Sequence, residues 1–437
     1  MQFFQDLGSL VERRWKGRNY EEAAFPGIAA EALADSNGSE LVNPWEIVRW
    51  VNTTAQLPEQ QDVPGRFGDP PITVYNGPRF YIDVYFWVDG TTAIHQHGFC
   101  GAFQVLLGSS ILSEYRFEEQ QEINAAFSVG RITLNEVELL EQGAIRQILP
   151  GKQYIHSLFH LDRPSASIVV RTRQSPSGLP QYSYHKPYFA IDPFFQEPAM
   201  IKKVQSAMLL LNIRHPEADD LIGELLAGSD FHTAFAVLDN AFGPLSNDRL
   251  ERAFGIATGK QRFESLLDIV RRRHGDLADL IPPVFEEVQR QQNLIQRRGQ
   301  ITESEHRFFL ALLLNVPDRL KILDLVRQRF PEQDPVTTIL DWVEELGHTR
   351  LFGSPEPNVL GIENLDDEYM FVLQCLLEGL TVEQMKSAFE QEFSAEDARG
   401  SSGKLEGLFE EIRTSMLFKS IFHDSAPSME TCEPVSI

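Results

Sequence analysis

The pattern of apolar and polar positions changes character twice along the chain. Residues 1 to 52 read as helical. In NPWEIVRWVN, Trp45, Ile47, Val48 and Val51 are interspersed with Glu46 and Arg49, as in an amphipathic helix that packs outside a barrel. From Thr53 to Pro71, four prolines and two glycines forbid a long regular element. Strands are expected next. FYIDVYFWV, Phe80 to Val88, alternates Phe80, Ile82, Val84 and Phe86 against Tyr81, Asp83, Tyr85 and Trp87, so each set should line one face. Further strands are expected at 102–107, 111–117, 131–139, 144–149 and 166–172, with turns at Gly130, Gly143 and Gly151. Short strands punctuated in this way predict an antiparallel sandwich or barrel.

A segment rich in Tyr, Pro and Phe runs from Pro176 to Pro198. Its aromatics either close a barrel mouth or hold two domains together, and the second reading is preferred. From Ala199 the period changes. Phe263, Leu266, Leu267 and Val270 have the i, i+3, i+4, i+7 spacing of a helix. Thr302 with Glu305, and Thr381 with Gln384, have the spacing of a capping box. About ten such helices fit before Phe422. The pieces 216–228, 230–241, 248–257 and 263–274 suggest stacked pairs without a repeated signature, hence an irregular helical array. The expected organisation is α+β and multidomain: a strand-rich domain with N-terminal helices at 1–198, an all-α domain at 199–423 and a flexible tail at 424–437.

Composition narrows the functional classes. Of 437 residues, 42% are apolar and 10% aromatic, enough for substantial cores. Acidic residues outnumber basic ones 63 to 39, a net charge of −24, which argues against nucleic acid or anionic membrane as partners. The clusters Arg271 to Arg273 and Arg297, Arg298 are read as solvated helix faces. The N-terminus lacks the apolar core of a signal peptide and no stretch approaches the ~20 apolar residues of a membrane helix, so a cytoplasmic protein is expected. Cys100, Cys375 and Cys432 are too few and too scattered for a disulfide framework or a Cys-rich zinc site.

The chemistry lies in GTTAIHQHGFCGAFQVLLG, Gly90 to Gly108. His95 and His97 are two residues apart, which on a strand puts both on one face about 6.6 Å apart, able to grip one metal ion. Downstream, LPGKQYIHSLFHLDRPSASIVVR supplies His156 and His160. Four residues along a strand is about 13 Å, so only one of these can join the pair, and the Pro-Gly turn favours His156. Hydrogen-bonded rim roles are expected for His160 and His185.

The order of HxH, an apolar strand closing on glycine, a hairpin, a PG turn and a third histidine resembles the cupin superfamily over about residues 70 to 175. Within it the chain is most similar to the cysteine dioxygenase group, which binds iron with three histidines and no glutamate. Here the glutamate position falls in Gly98, Phe99, Cys100, Gly101. The resemblance implies a jelly-roll barrel with Fe(II), or alternatively Zn, Mn or Ni, held by His95, His97 and His156. Where that family places Ser, His and Tyr on its last strand, this chain has Ser167, Val169 and Arg171, so its hydrogen-bond relay beside the iron is absent. Arg171 either clamps a substrate carboxylate or phosphate or forms an ion pair at the rim. Tyr85, Trp87, Cys100 and Ser167 are further candidate substrate contacts. The implied function is a non-haem iron(II) oxygenase using dioxygen on a small anionic molecule, for instance a thiol. Alternatives are a metal-dependent isomerase or hydrolase, and a non-catalytic small-molecule sensor whose helical domain binds a protein partner or a second copy.

Overall fold

The computed structural model describes residues 1–65, 67–88, 93–175, 178–246, 259–353, 356–392 and 395–422. The helix expected at 248–257 and the tail at 424–437 lie outside them.

Four helices open the chain. In α1 (Gln2–Lys16), Phe4, Leu7, Val11 and Trp15 recur every three to four residues, share one face and are all buried. α2 (Phe25–Ser36) buries Phe25, Ile28, Ala29, Ala32 and Leu33, and α3 (Gly38–Leu41) is a single turn. α4 (Pro44–Thr53) begins on a proline whose missing N–H costs nothing in the first turn, and the Asn43 side chain accepts the Trp45 N–H at 3.0 Å. Its Ile47 is buried while Trp45 is exposed.

Eleven strands are described: β1 (Pro71–Asn76), β2 (Phe80–Trp87), β3 (Ile94–His97), β4 (Gly101–Leu107), β5 (Ser110–Asn124), β6 (Phe127–Leu140), β7 (Ile145–Ile148), β8 (Gly151–His160), β9 (Ser165–Thr172), β10 (Ser183–His185) and β11 (Phe189–Ile191). One sheet has the order β1-β2-β9-β4-β7, and the other closes into a ring, β10-β11-β6-β5-β8-β3. The expected antiparallel barrel followed by helices is therefore what the chain forms. Among the described residues, no helix is long and apolar enough to cross a membrane.

The alternation along β2 sorts its side chains as the pattern predicts. Phe80, Ile82, Val84 and Phe86 join Ala102, Leu106, Ile168 and Val170 in a core with the buried faces of α1, α2 and α4. Each large side chain so buried contributes about 1.5–3 kcal/mol, enough to fix the N-terminal helices against the five-stranded sheet. The opposite face packs toward the ring through Phe99, Phe103, Val105, Leu112, Ile148, Tyr154, Leu158 and Val169. Ring residues of the other parity, Ile94, Tyr115, Ile155 and Tyr184 among them, form a separate core.

Two glycines set strand contacts. A Cβ on Gly101 would lie 2.1 Å from the Val170 carbonyl oxygen and 2.9 Å from Arg171 Cα, so only glycine lets β4 pair with β9 beside Arg171. Gly130, expected in a turn, instead stands inside β6, where a Cβ would lie 2.3 Å from the carbonyl oxygen of Glu118 on β5. Gly143 and Gly151 do have the positive φ of turn glycines.

The segment expected as a loop from Pro176 to Pro198 contains the β10–β11 hairpin. One of its aromatics lines the cavity, as one of the two readings expected, and another packs on helices of the same compact unit as the barrel and not between two domains. Phe189 packs with Phe127 and Val129 against Ala207, Leu211, Phe231, Phe235, Phe263 and Phe285 of the following helices, whereas Phe194 lines the barrel cavity. Those helices are α5 (Pro198–Asn212), α6 (Ala218–Gly228), α7 (Phe231–Ser246), α8 (Gly259–His274) and the start of α9 (Ile281–Gln300). Phe263, Leu266, Leu267 and Val270 are all buried, as their spacing predicts.

The change from strands to helices at Ala199 does not coincide with the division into compact units. One unit comprises 1–136 and 140–289, and the other 137–139 and 290–437. The second is built around α10 (Ser304–Asn315), buried from His306 to Leu314, with α11 (Arg319–Arg329), α12 (Pro335–Gly347), α13 (Asp367–Glu378), α14 (Val382–Glu392), α15 (Ala395–Thr414) and α16 (Lys419–Phe422). Twelve α-helices thus follow Glu197 among the described residues. The Thr381 box forms in both directions, at 2.9 and 3.3 Å. The one expected at Thr302 does not: Ser304 opens α10, and Glu305 accepts from Trp342 Nε1 at 3.4 Å. Arg297 and Arg298, read as solvated, are buried; Arg297 donates to the Val359 carbonyl and to Glu356, and Arg298 donates to the Arg307 carbonyl at 3.1 Å. Arg271 fits the solvated reading, paired with Asp268 and Asp279 at the surface.

Candidate metal centre

Strand pairing places the histidines. His95 on β3 stands opposite His156 on β8, and a bulge in the same ladder shifts His97 to pair with Gly151. The residue between them, Gln96, faces the other way. Its Nε2 donates to the Pro180 carbonyl at 2.5 Å and its Oε1 accepts from the Tyr184 hydroxyl at 2.5 Å, fixing β3 beside β10. His95 and His97 are therefore held from behind by a buried amide.

The three imidazoles converge, with one ligand nitrogen from each lying within 4.8 Å of the others. This is the group of three potential ligands found among the described residues. The Nε2 atoms of His97 and His156 are 2.9 Å apart. Two nitrogens bound at right angles to one ion at ~2.1 Å would be about 3.0 Å apart, so this pair already has coordination spacing. His95 Nδ1 donates to the Ala93 carbonyl at 2.8 Å, which leaves Nε2 with a lone pair for an ion. Burial holds the pKa of all three below the ordinary histidine range, furthest for His97 and His156, where the neighbouring imidazoles add to the effect. Neutral imidazoles are the form a metal requires, so the donor set fits a divalent ion. With no carboxylate in the group, the bound ion would keep its full charge.

His160 does not join them. It is 3% exposed, stacked on Trp87 with centroids 4.5 Å apart, and its Nδ1 bonds the hydroxyls of Ser165 at 2.8 Å and Ser110 at 3.1 Å. The expected rim role is corrected to a buried one, and burial alone lowers its pKa to about 3. His185 lies on β10, paired with Phe189, and burial lowers its pKa as well.

A cavity of about 400 Å³ opens on the three histidines. Tyr85, Trp87, Ser167, Val169 and Arg171 all line it, as do Tyr81, Asp83, Phe99 and Phe103. Cys100 does not. It lies just before β4 and packs into the core shared with the N-terminal helices, 3.7 Å from Thr172 Oγ1, where burial pushes its thiol up to about 11. It is a packed cysteine on the wrong face for the cavity.

Arg171 makes no ion pair with a carboxylate among the described residues. Its guanidinium lies 3.2 Å above the Phe99 ring and 5.2 Å from that of Tyr81, and Nη1 donates to the Tyr85 hydroxyl at 3.4 Å. Phe99 also packs on His97, centroids 4.5 Å apart, so one ring touches both the cation and a candidate ligand. The ion pair considered for Arg171 does not form with any described carboxylate, and Arg171 lines the cavity.

Asp83 was not singled out from sequence as a site residue. It is 2% exposed, accepts from the Tyr85 hydroxyl at 3.1 Å, and its Oδ1 has no hydrogen-bond partner. Burial raises its pKa, against the opposing influence of Thr73, Arg171 and Tyr85. The signal was in the pattern, since Asp83 shares a strand face with Tyr81, Tyr85 and Trp87.

No family model and no curated protein matches the chain. Solved structures that resemble parts of it include TT1209 from Thermus thermophilus, 19% identical with a TM-score of 0.18, covering 27% of this chain and all of that one. Another is hydroquinone 1,2-dioxygenase from Sphingomonas sp. TTNP3 with 4-hydroxybenzoate bound, 13% identical, TM-score 0.19, covering 25% of this chain and 68% of that one. A third is a conserved protein with a double-stranded beta-helix domain from Klebsiella pneumoniae, 17% identical, TM-score 0.18, covering 31% and 97%. TM-scores this low carry no inference about this chain.

Proposed function

We propose that the chain is a metal-dependent enzyme of cupin type, a non-haem iron(II) oxygenase acting on an anionic molecule, with His95, His97 and His156 as the ligands. The observation that carries this reading is the convergence of three neutral imidazoles on a cavity whose one wall presents Arg171 without a carboxylate partner. When bound, the ion would supply open coordination positions for substrate and dioxygen, as three-ligand catalytic centres do. The chain's own residues supply the rest. Arg171 draws in and orients the anion by a charge-assisted hydrogen bond. Phe99 fixes the guanidinium by stacking, and the Tyr85 hydroxyl holds Nη1. Trp87, Phe103, Ile148, Leu158 and Val169 keep the walls apolar and exclude water.

Oxygen consumption tests the reading. Protein loaded anaerobically with iron(II) should consume dioxygen in proportion to product when offered a panel of organic acids and thiols. Arg171→Ala should weaken substrate binding by roughly 1.5–3 kcal/mol while leaving the metal in place. Tight ligand binding without dioxygen consumption by any of the panel, iron being present, would turn the assignment to a sensor.

A further inference from the structure

The cavity wall formed by β2 and β9 carries three side chains with unused hydrogen-bonding capacity: Asp83, Arg171 and Trp87, whose Nε1 is buried without a partner. Cross-strand pairing sets Tyr81 opposite Arg171, Asp83 opposite Val169 and Tyr85 opposite Ser167, all on the face that lines the cavity. The Tyr85 hydroxyl donates to Asp83 Oδ2 and accepts from Arg171 Nη1, so it fixes both side chains and is itself spent. Asp83 Oδ1 and Arg171 Nε are buried and make no hydrogen bond of normal geometry, although the Thr73 side chain also acts on the Asp83 carboxylate. An unsatisfied buried polar atom costs about 1–3 kcal/mol. Such a cost points to a ligand that supplies the missing partners.

We infer that this wall recognises an organic acid that carries a hydrogen-bond donor next to its carboxylate: Arg171 takes the carboxylate and Asp83 Oδ1 takes the donor, a hydroxyl or an ammonium group. The two recognition groups lie within two hydrogen bonds of each other through Tyr85, a separation that suits substituents on the same or adjacent carbons. The remaining lining is largely aromatic and aliphatic, with Gln61, Asp62, Ser167, Gln181 and the three histidines as its other polar members, and the volume of about 400 Å³ lies in the range of small-molecule pockets. The class is thus an aryl or long-chain α-hydroxy or α-amino acid. Asp83 is assigned as a specificity-determining residue. The inference deepens the proposed function and rests on it only for the metal-facing end of the ligand.

The test titrates the full-length protein, metal-loaded and metal-free, with 3-phenyllactate, phenylalanine and 3-phenylpropionate, following heat or tryptophan fluorescence. At least one of the two donor-bearing acids should bind about tenfold or more tightly than 3-phenylpropionate. Asp83→Ala should bring that ratio close to one, and Arg171→Gln should weaken all three acids alike. Asp83→Asn separates the sources: it should abolish a preference for the ammonium and spare one for the hydroxyl. The inference is overturned if 3-phenylpropionate binds wild-type protein as tightly as both other acids, if the ratio survives Asp83→Ala in folded protein, or if no acid binds saturably at millimolar concentration. Should the variants not fold, the wild-type ratio still decides. Metal content measured on the same samples keeps the two readings apart, because a preference that persists in protein unable to hold metal supports this inference and removes the oxygenase.

Discussion

Replacing His160 by glutamine tests whether the fourth histidine of the barrel is a buried neutral group and not a ligand. Its imidazole is enclosed by Trp87, Ser110 and Ser165, and its pKa is lowered to about 3 by burial, against 6.5 in an unfolded chain. Above pH 6.5 neither state binds the proton, so no stability is lost. Between 6.5 and about 3 the unfolded chain binds a proton that the folded chain refuses, so stability falls as pH falls, by about 1.4 kcal/mol per pH unit. At pH 5 the accumulated loss from this one residue is about 2 kcal/mol. The other histidines contribute equally to wild type and variant and cancel in the difference. Urea unfolding at pH 7.5 and pH 5, followed by tryptophan fluorescence, should show His160→Gln less stable at pH 7.5 through its lost serine bonds, yet less acid-sensitive than wild type by about 2 kcal/mol. Metal content should be unchanged. An identical pH dependence in the two proteins would show that His160 is protonated in the fold and the burial argument is wrong.

Two further outcomes follow from the packing. Gly101→Ala should destabilise the protein by about 1–3 kcal/mol or more, because the added carbon meets strand backbone that cannot rotate away, and the loss should appear in the urea midpoint; a neutral effect would mean that β4 and β9 are not paired as described. A chain ending at residue 289 should be soluble and retain metal, whereas one ending at residue 198 should aggregate, because it strips Phe127, Val129 and Phe189 of the helices that cover them. Equal solubility of the two truncations, measured by light scattering, would refute that account of the helices.

What could be read from sequence was what depends on local periodicity. The parity of FYIDVYFW separated the sheet's outer core from the cavity wall, and the HxH spacing with the Pro-Gly turn selected the histidines that converge. The same parity marked Asp83 beside Tyr85, but its meaning needed the register of β9, which brings Arg171 to that face. Cys100 was misplaced because proximity to the histidines in sequence says nothing about which side of the sheet its side chain packs on. Gly130 looked like a turn because an extended strand can need glycine only where a neighbour's backbone comes close, and that neighbour lies outside its own segment. Arg297 and Arg298 were read as solvated because their acceptors, the carbonyls of Val359 and Arg307, are supplied by distant or already coiled chain. Long-range acceptors of this kind leave no periodic trace.

Elemental analysis of anaerobically purified protein tests most directly whether His95, His97 and His156 hold one ion. Wild type should carry close to one divalent transition ion per chain. His95→Ala, His97→Ala and His156→Ala should each lose most of it, and His160→Ala should keep it. Full occupancy in the first three variants, or loss confined to His160→Ala, would contradict the account.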